Sequence, residues 1–199
     1  LCYRRQRQMC IRDRVCIRSS GNIYNLSLLG SIIAHEGAEA AEEWAAGVVA
    51  NFARPPQGGD TDQLRAVAAG ECGVAVANSY YFARLMNSDD PADQAVVEHI
   101  GWVFPDQQGR GTHVNVSGAG VLKTAPHPDN ARKFLEYLAS DRAQTLFARG
   151  NNEYPATDAP TDNPALETMG DFGVDSLNVA SFGVHQAQAQ QIFDRAGWR

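Results

Sequence analysis

The stretch that decides the fold runs from residue 18 to residue 85. It reads RSSGNIYNLSLLGSIIAHEGAEAAEEWAAGVVANFARPPQGGDTDQLRAVAAGECGVAVANSYYFARL. Residues 15–18 form a short, partly apolar piece that predicts a strand, and the small polar residues 19–22 predict a tight loop after it. A helix is then predicted up to residue 35, because apolar side chains recur at helical spacing at Leu26, Leu29 and Ile33.

The same unit returns later in this stretch. Residues 73–77 are small and apolar, as in a buried strand, and Asn78 and Ser79 follow as a capping pair. Residues 80–86 then predict a helix that opens with two tyrosines. A strand, a loop and a helix that recur in this order predict an α/β fold.

The rest of the chain continues the alternation of helices and strands. Asp60 is a predicted helix N-cap with Gln63 three residues after it, and residues 151–164 predict a polar, proline-bearing connection. Further strands are predicted over residues 99–104 and 113–116. The helix that Asp60 caps is predicted to run to residue 70, and further helices are predicted over residues 39–52, 130–139, 140–149 and 184–196.

Composition excludes several classes of protein. With 44% hydrophobic and 20% charged residues, the 199-residue chain has the composition of a folded domain and not of a disordered segment. No apolar run approaches the roughly 20 residues of a membrane span, so we expect no membrane insertion. Six arginines and one aspartate give +5 within the first eighteen residues, which leaves −11 for the remainder. An acidic body of this kind is not expected to bind nucleic acid.

The first fourteen residues, LCYRRQRQMCIRDR, differ in composition from the rest. They carry no apolar core and no small-residue cleavage site, so they do not form a secretory signal. They look like translated adaptor sequence, and we expect a segment that is not native to the protein. The alternative is a basic arm that binds nucleic acid or a membrane surface.

The cysteines predict neither a metal site nor a disulfide framework. Cys2 and Cys10 belong to the atypical first segment, Cys16 borders it, and only Cys72 lies well inside the body. No Cys/His cluster has zinc-ligand spacing. The sequence therefore assigns no disulfide pair.

Three tyrosines are the candidate ligands. Tyr24 follows the first loop, and Tyr80 and Tyr81 follow the second strand, so the helix starts place all three near the carboxyl ends of strands. A phenolate is a hard, anionic oxygen ligand, and it suits a highly charged cation such as Fe3+. A phenol with a pKa near 10 is neutral at pH 7, so a bound cation must stabilise the ionised form. The alternative is that Tyr80 and Tyr81 only pack at a helix start.

These motifs resemble the periplasmic ferric-iron-binding proteins of ABC importers. The resemblance runs through residues 18–85 and continues in NVSGAGVLKTAPHPDNARKFLEYLASDRAQ at 115–144, NNEYPA at 151–156 and QIFDRAGW at 191–198. It implies a type II periplasmic-binding-protein fold, similar to a transferrin lobe, and a role as a solute-binding protein that is not an enzyme. In this family an RSSxNIYN segment and a Tyr-Tyr pair bind iron.

The resemblance also implies which residues surround the metal. The ligands would be Tyr24, Tyr80 and Tyr81, with Fe3+ as cargo. A synergistic anion such as carbonate, phosphate or citrate would lie near them. Residues expected to hold that anion or to support the ligands are Ser19, Ser20 and Asn78.

The family has two lobes, and the start of the first lobe is expected to be missing here. Residues 15–110 and 162–199 would form the second lobe, and residues 111–161 would be the returning part of the first. The resemblance further implies a periplasmic monomer that delivers iron to an inner-membrane ABC permease.

Two other functions remain open on the sequence alone. The same fold could carry a small oxyanion or another solute, held by Ser19, Ser20, Gly21 and helix N-termini. An enzyme could instead use Tyr80 or Tyr81 as an acid or base. That use needs a neighbouring group to lower the phenol pKa, and neither Lys nor Arg directly precedes the pair.

Overall fold

The computed structural model describes residues 15–199. The expectation about residues 1–14 falls outside these described residues. Two short strands, β1 (Val15–Cys16) and β2 (Val74–Ala75), and nine helices make up the described part of the chain. The helices are α1 (Ile23–Glu36), α2 (Ala38–Val49), α3 (Asp60–Ala68), α4 (Ser79–Met86), α5 (Pro91–His99), α6 (Pro128–Leu138), α7 (Asp141–Asn151), α8 (Pro164–Met169) and α9 (Ala180–Ala196).

The two predicted strand, loop and helix units lie side by side. Strands β1 and β2 pair in parallel, with Val15 opposite Val74 and Cys16 opposite Ala75. Helix α1 follows the first strand and α4 follows the second, which agrees with the predicted α/β class. The parallel pairing brings the loops after both strands to the same edge of the sheet.

Two predicted strands are wrong. Helix α5 begins at Pro91, where Asp90 caps it by accepting a hydrogen bond from the amide of Ala92, and it continues through His99, which is therefore helical. Residues 100–104 form no strand: Ile100 and Phe104 pack against the second apolar cluster, whereas Val103 is 73% exposed. Residues 113–116 form none either, although the neighbouring Thr112 makes an isolated bridge to Val174.

The predicted cap of α3 is also wrong. Gly59 is the N-cap, and the carboxylate of Asp62 accepts a hydrogen bond of 2.6 Å from the amide of Gly59. Asp60 is the first helical residue and is buried, with 2% of its side chain exposed. Its carboxylate does not cap the helix because it binds groups from two other segments.

Cys16 and Cys72 form a disulfide, so the expectation of no pair is wrong. The sequence hides it because 56 positions separate the two cysteines. Their Cα atoms lie 5.8 Å apart, within the range of ordinary disulfides, and both side chains are buried. The bond ties β1 to the segment that leads into β2.

The described residues form two main apolar clusters. One joins α1, α2 and α9 and includes Leu29, Ile192 and Phe193. Trp198 completes this cluster. Its indole is fully buried, and its ring centroid lies 4.6 Å from that of Phe193 with the planes tilted by 53°. The indole N–H donates a hydrogen bond of 3.0 Å to the carbonyl of Arg18. The second cluster joins α3, α4, α5, α7 and α8. The helices that carry Tyr24 and the tyrosine pair therefore belong to different clusters.

Helix α6 has an apolar face that the described residues leave uncovered. It buries none of its residues, and Phe134 is 59% exposed. Tyr137 on α6 and Leu146 on α7 are also exposed. Within residues 15–199, no helix is both long enough and apolar enough to cross a bilayer.

Candidate metal centre

The phenols of Tyr24 and Tyr80 meet directly. Asn22 starts α1 by accepting a hydrogen bond from the amide of Tyr24, which places the phenol in the first turn. Asn78 stands at the N-cap of α4, two residues before Tyr80. The hydroxyl of Tyr80 donates a hydrogen bond of 2.7 Å to the hydroxyl oxygen of Tyr24. The hydroxyl groups of two candidate ligands that are 56 positions apart in the chain are thus in direct contact.

Tyr81 lies beside this pair. Its ring centroid is 4.4 Å from that of Tyr80, with the ring planes tilted by 34°. All three phenol side chains are half-buried, so the cluster is neither sealed in a core nor free in solvent. The structure brings the three predicted tyrosines together.

Burial raises the pKa of Tyr80 well above its usual value, and its hydrogen bonds with Tyr24 and Tyr81 raise it further. The phenol of Tyr80 is therefore protonated at neutral pH. Any cation that takes its oxygen as a ligand must displace this proton, so binding there would be coupled to proton release.

Two arginines lie against the phenol rings. The guanidinium carbon of Arg18 is 5.5 Å from the centroid of Tyr24, and that of Arg84 is 5.1 Å from the centroid of Tyr81. Burial alone would lower the pKa of Arg18, but the hydrogen bond and charge of Asp60, with smaller effects from Tyr81, raise it. Both arginines thus lie beside the tyrosines in three dimensions, although neither Lys nor Arg directly precedes the tyrosine pair in the sequence.

Sequence reasoning missed both arginines for different reasons. Arg84 could have been found, because residues three apart on a helix are neighbours and it follows Tyr81 at that spacing. Arg18 could not, since its approach to Tyr81 depends on the pairing of β1 with β2. The carbonyl of Arg18 is itself held by the side-chain amide of Asn25 at 2.9 Å.

The three residues predicted around the anion fall into two groups. Ser19 and Ser20 lie on the loop before α1, the first exposed and the second buried. Asn78 is engaged in hydrogen bonds on both sides of its amide. It donates to Asp60 at 2.8 Å and accepts from Asn115 at 3.1 Å. An anion that binds the side chain of Asn78 would use the second N–H of this amide or replace one of these partners.

Residues 113–115 reach the site from a distant part of the sequence. The hydroxyl of Ser27 forms a close hydrogen bond with Asn115, and Nε2 of His113 lies 3.2 Å from the same hydroxyl. Burial lowers the pKa of His113 to about 4, so its ring is neutral at pH 7. Its Nδ1 atom is buried and has no hydrogen-bond partner within residues 15–199. In the sequence, His113 belongs to none of the motifs that predict the site.

No group of three or more His, Cys, Asp or Glu side chains within residues 15–199 is arranged to hold a metal ion. Among the described residues, the cluster that could supply several hard oxygen ligands from one place is the tyrosine trio.

Known proteins resemble this chain in both sequence and fold. The sequence profile described as "Bacterial extracellular solute-binding protein" matches residues 27–145, more than half of the chain. The chain belongs to this family.

Two curated relatives come from Synechocystis. The chain is 51% identical over 190 residues to "Iron uptake protein A2", covering 94% of this chain and 55% of the relative. It is 47% identical over 188 residues to "Iron uptake protein A1", covering 94% of this chain and 52% of the relative. The chain thus spans about half the length of the curated relatives it matches.

Solved structures share the fold. A structure described as Trichodesmium IdiA (FutA) in complex with iron and citrate ligands matches with a TM-score of 0.92 at 51% identity, over 96% of this chain and 60% of that one. Apo FutA2 from Synechocystis matches at 0.91 and 51%, over 96% and 61%. The ferric binding protein from Campylobacter jejuni matches at 0.89 and 37%, over 95% and 60%. The expected type II periplasmic-binding-protein fold is confirmed.

Proposed function

We propose that this chain binds ferric iron through the phenolate oxygens of Tyr24, Tyr80 and Tyr81 and presents it to an ABC importer. The observation that carries the proposal is the contact of 2.7 Å between the hydroxyls of Tyr24 and Tyr80, with the ring of Tyr81 packed at a tilt against that of Tyr80. Iron uptake proteins and ferric-binding proteins among the relatives support the choice of cargo.

Three phenolates balance the charge of Fe3+ but leave part of its coordination shell open. A synergistic anion such as citrate, carbonate or phosphate is proposed to fill it, and the iron and citrate of the Trichodesmium relative support citrate. Arg18 and Arg84 supply positive charge beside the tyrosines. Ser19, Ser20 and Asn78 are the proposed contacts of the anion or of the ligands.

The proposed lobe assignment places the site between two lobes. Residues 15–110 and 162–199 are proposed as the second lobe, and residues 111–161 as the returning part of the first. The uncovered apolar face of α6 fits this division, since a helix of that kind normally packs against a partner layer. A first lobe would close over the tyrosines and supply further ligands.

The proposed role is binding and release without catalysis, by a monomer in the periplasm. The Cys16–Cys72 disulfide supports an oxidising compartment, since such bonds persist outside the cytosol. An inner-membrane permease is the proposed partner because family members are solute-binding proteins.

Titration with ferric citrate tests the proposal. Iron bound to phenolates gives a red charge-transfer absorption band, which we expect in the wild-type chain and expect Tyr80→Phe to abolish or strongly weaken. The matched control is Tyr154→Phe, because Tyr154 hydrogen-bonds to the carbonyl of Gly170 in the second apolar cluster and not to the trio. No band in the wild type, together with saturable binding of phosphate, would favour the oxyanion alternative, for which the two arginines are the supporting observation.

A further inference from the structure

Asp60 is a buried carboxylate whose hydrogen bonds all come from residues near the tyrosines. Only 2% of its side chain is exposed. One oxygen accepts from Nη1 of Arg18 at 3.1 Å. The other accepts from the backbone amide of Asn78 at 2.7 Å and from its side-chain amide at 2.8 Å. A buried charge is stable only when it is paired and hydrogen-bonded, and these three donors satisfy that requirement.

These donors belong to the two segments that carry the tyrosines. Arg18 begins the loop that leads to Tyr24, and its guanidinium lies against the ring of Tyr24. Asn78 is the N-cap of α4, whose first turn contains Tyr80 and Tyr81. Asp60 itself lies on α3, which carries none of the three tyrosines. One carboxylate on a third element is thus bonded to both sides of the candidate metal centre.

We propose that Asp60 is a positioning residue of this site, which holds the loop of Tyr24 and the start of α4 at the separation that lets the phenols meet. The iron-binding part of this inference rests on the proposed function, whereas the geometric part does not. Ligands held in place before the metal arrives need no ordering on binding, so groups that support ligands commonly change metal affinity by about 10–100-fold when mutated.

Asp60→Asn tests the connection with little change in volume. The substitution replaces one acceptor oxygen with an NH2 donor. If the NH2 group takes the place of the oxygen that binds Arg18, it faces the guanidinium. If it takes the place of the other oxygen, it faces the two N–H groups of Asn78. Donors cannot bond to donors, so one of the two segments must lose its link.

Asn163→Asp is the matched control. Asn163 is also 2% exposed and makes several hydrogen bonds, including one of 2.7 Å from its amide to the carbonyl of Ala148. Exchanging its amide for a carboxylate perturbs a buried polar network of similar size. That network joins α7 and α8 to Asn87, at the opposite end of α4 from Tyr80 and Tyr81, and it includes none of the three tyrosines.

The first measurement needs no iron. In the metal-free full chain with 13C-labelled tyrosine rings, we expect a nuclear Overhauser effect between the rings of Tyr24 and Tyr80 in the wild type and in Asn163→Asp, and its loss in Asp60→Asn. Retention of the effect in Asp60→Asn would overturn the inference, as would its equal loss in the control. If Asp60→Asn does not fold, Asn78→Ala is tested in the same experiment, because it removes one of the three hydrogen bonds to Asp60. A weaker Overhauser effect between the rings would support the inference, and an unchanged one would overturn it.

The second measurement is ferric citrate titration. We expect the iron affinity of Asp60→Asn to fall by about 10–100-fold and the charge-transfer band to weaken per bound iron, while Asn163→Asp matches the wild type. An unchanged affinity in Asp60→Asn would refute the link to iron. A wild-type chain that shows the ring contact but binds no iron would refute the proposed function and leave the positioning role standing.

Discussion

Removing the Cys16–Cys72 disulfide should lower the stability of the protein by a measurable and calculable amount. The change we propose is Cys16→Ala with Cys72→Ala, which leaves no free thiol at either position. The cross-link closes a loop of 56 positions, and for a loop of that length the chain-entropy estimate is about 4 kcal/mol of stabilisation. Both side chains are nearly inaccessible, so no new exposed surface complicates the comparison.

Thermal unfolding followed by circular dichroism is the assay. In a chain of this size each kcal/mol moves Tm by about 2–4 °C, so we expect a fall of about 8–16 °C. The matched control is Cys2→Ala with Cys10→Ala, for which we expect no change in Tm. A fall of less than about 2 °C in the Cys16 and Cys72 variant would refute the reasoning, because the unfolded chain would then gain almost nothing from losing the link.

Two further predictions concern other parts of the chain. Burial lowers the pKa of His113 to about 4 in the folded state. As the pH falls from about 6.5 towards 4, the unfolded state therefore binds a proton before the folded state does. The free energy of unfolding should fall over this range by up to about 3 kcal/mol. Urea unfolding across this pH range should show the loss, and His113→Gln should flatten it; identical slopes in both proteins would contradict the assignment. Deleting residues 1–14 should leave Tm unchanged, and a loss above about 1 kcal/mol would show that the segment packs on the body.

Helices and the tyrosine cluster were accessible from the sequence. Helix α1 is predicted because its apolar residues recur at helical spacing, and the structure places it at Ile23–Glu36. The meeting of Tyr24 with Tyr80 was predictable because both follow a strand and parallel strands end at one edge. Their role as ligands stays a prediction.

The wrong predictions concern residues whose partners are distant in the sequence. Asp60 has the residue type and position of an N-cap, but its carboxylate accepts hydrogen bonds from Arg18 and Asn78. Gly59 is the N-cap instead. The disulfide between Cys16 and Cys72 forms because β1 pairs with β2, and the number and spacing of cysteines in the sequence do not predict that pairing. Local pattern predicts local structure, while the partners of buried polar groups follow from the fold.

The hydrogen bond from Trp198 to Arg18 has a consequence for the order of events during synthesis. It joins residues 180 positions apart, and contacts of such separation form late because the loop between them must close first. The loop before Tyr24 is synthesised well ahead of Trp198, because 180 positions separate Arg18, the first residue of that loop, from the indole that holds it. A nascent chain can therefore build α1 and α2 as it emerges, whereas the backbone beneath the first tyrosine cannot reach its final position until residue 198 has been translated and released.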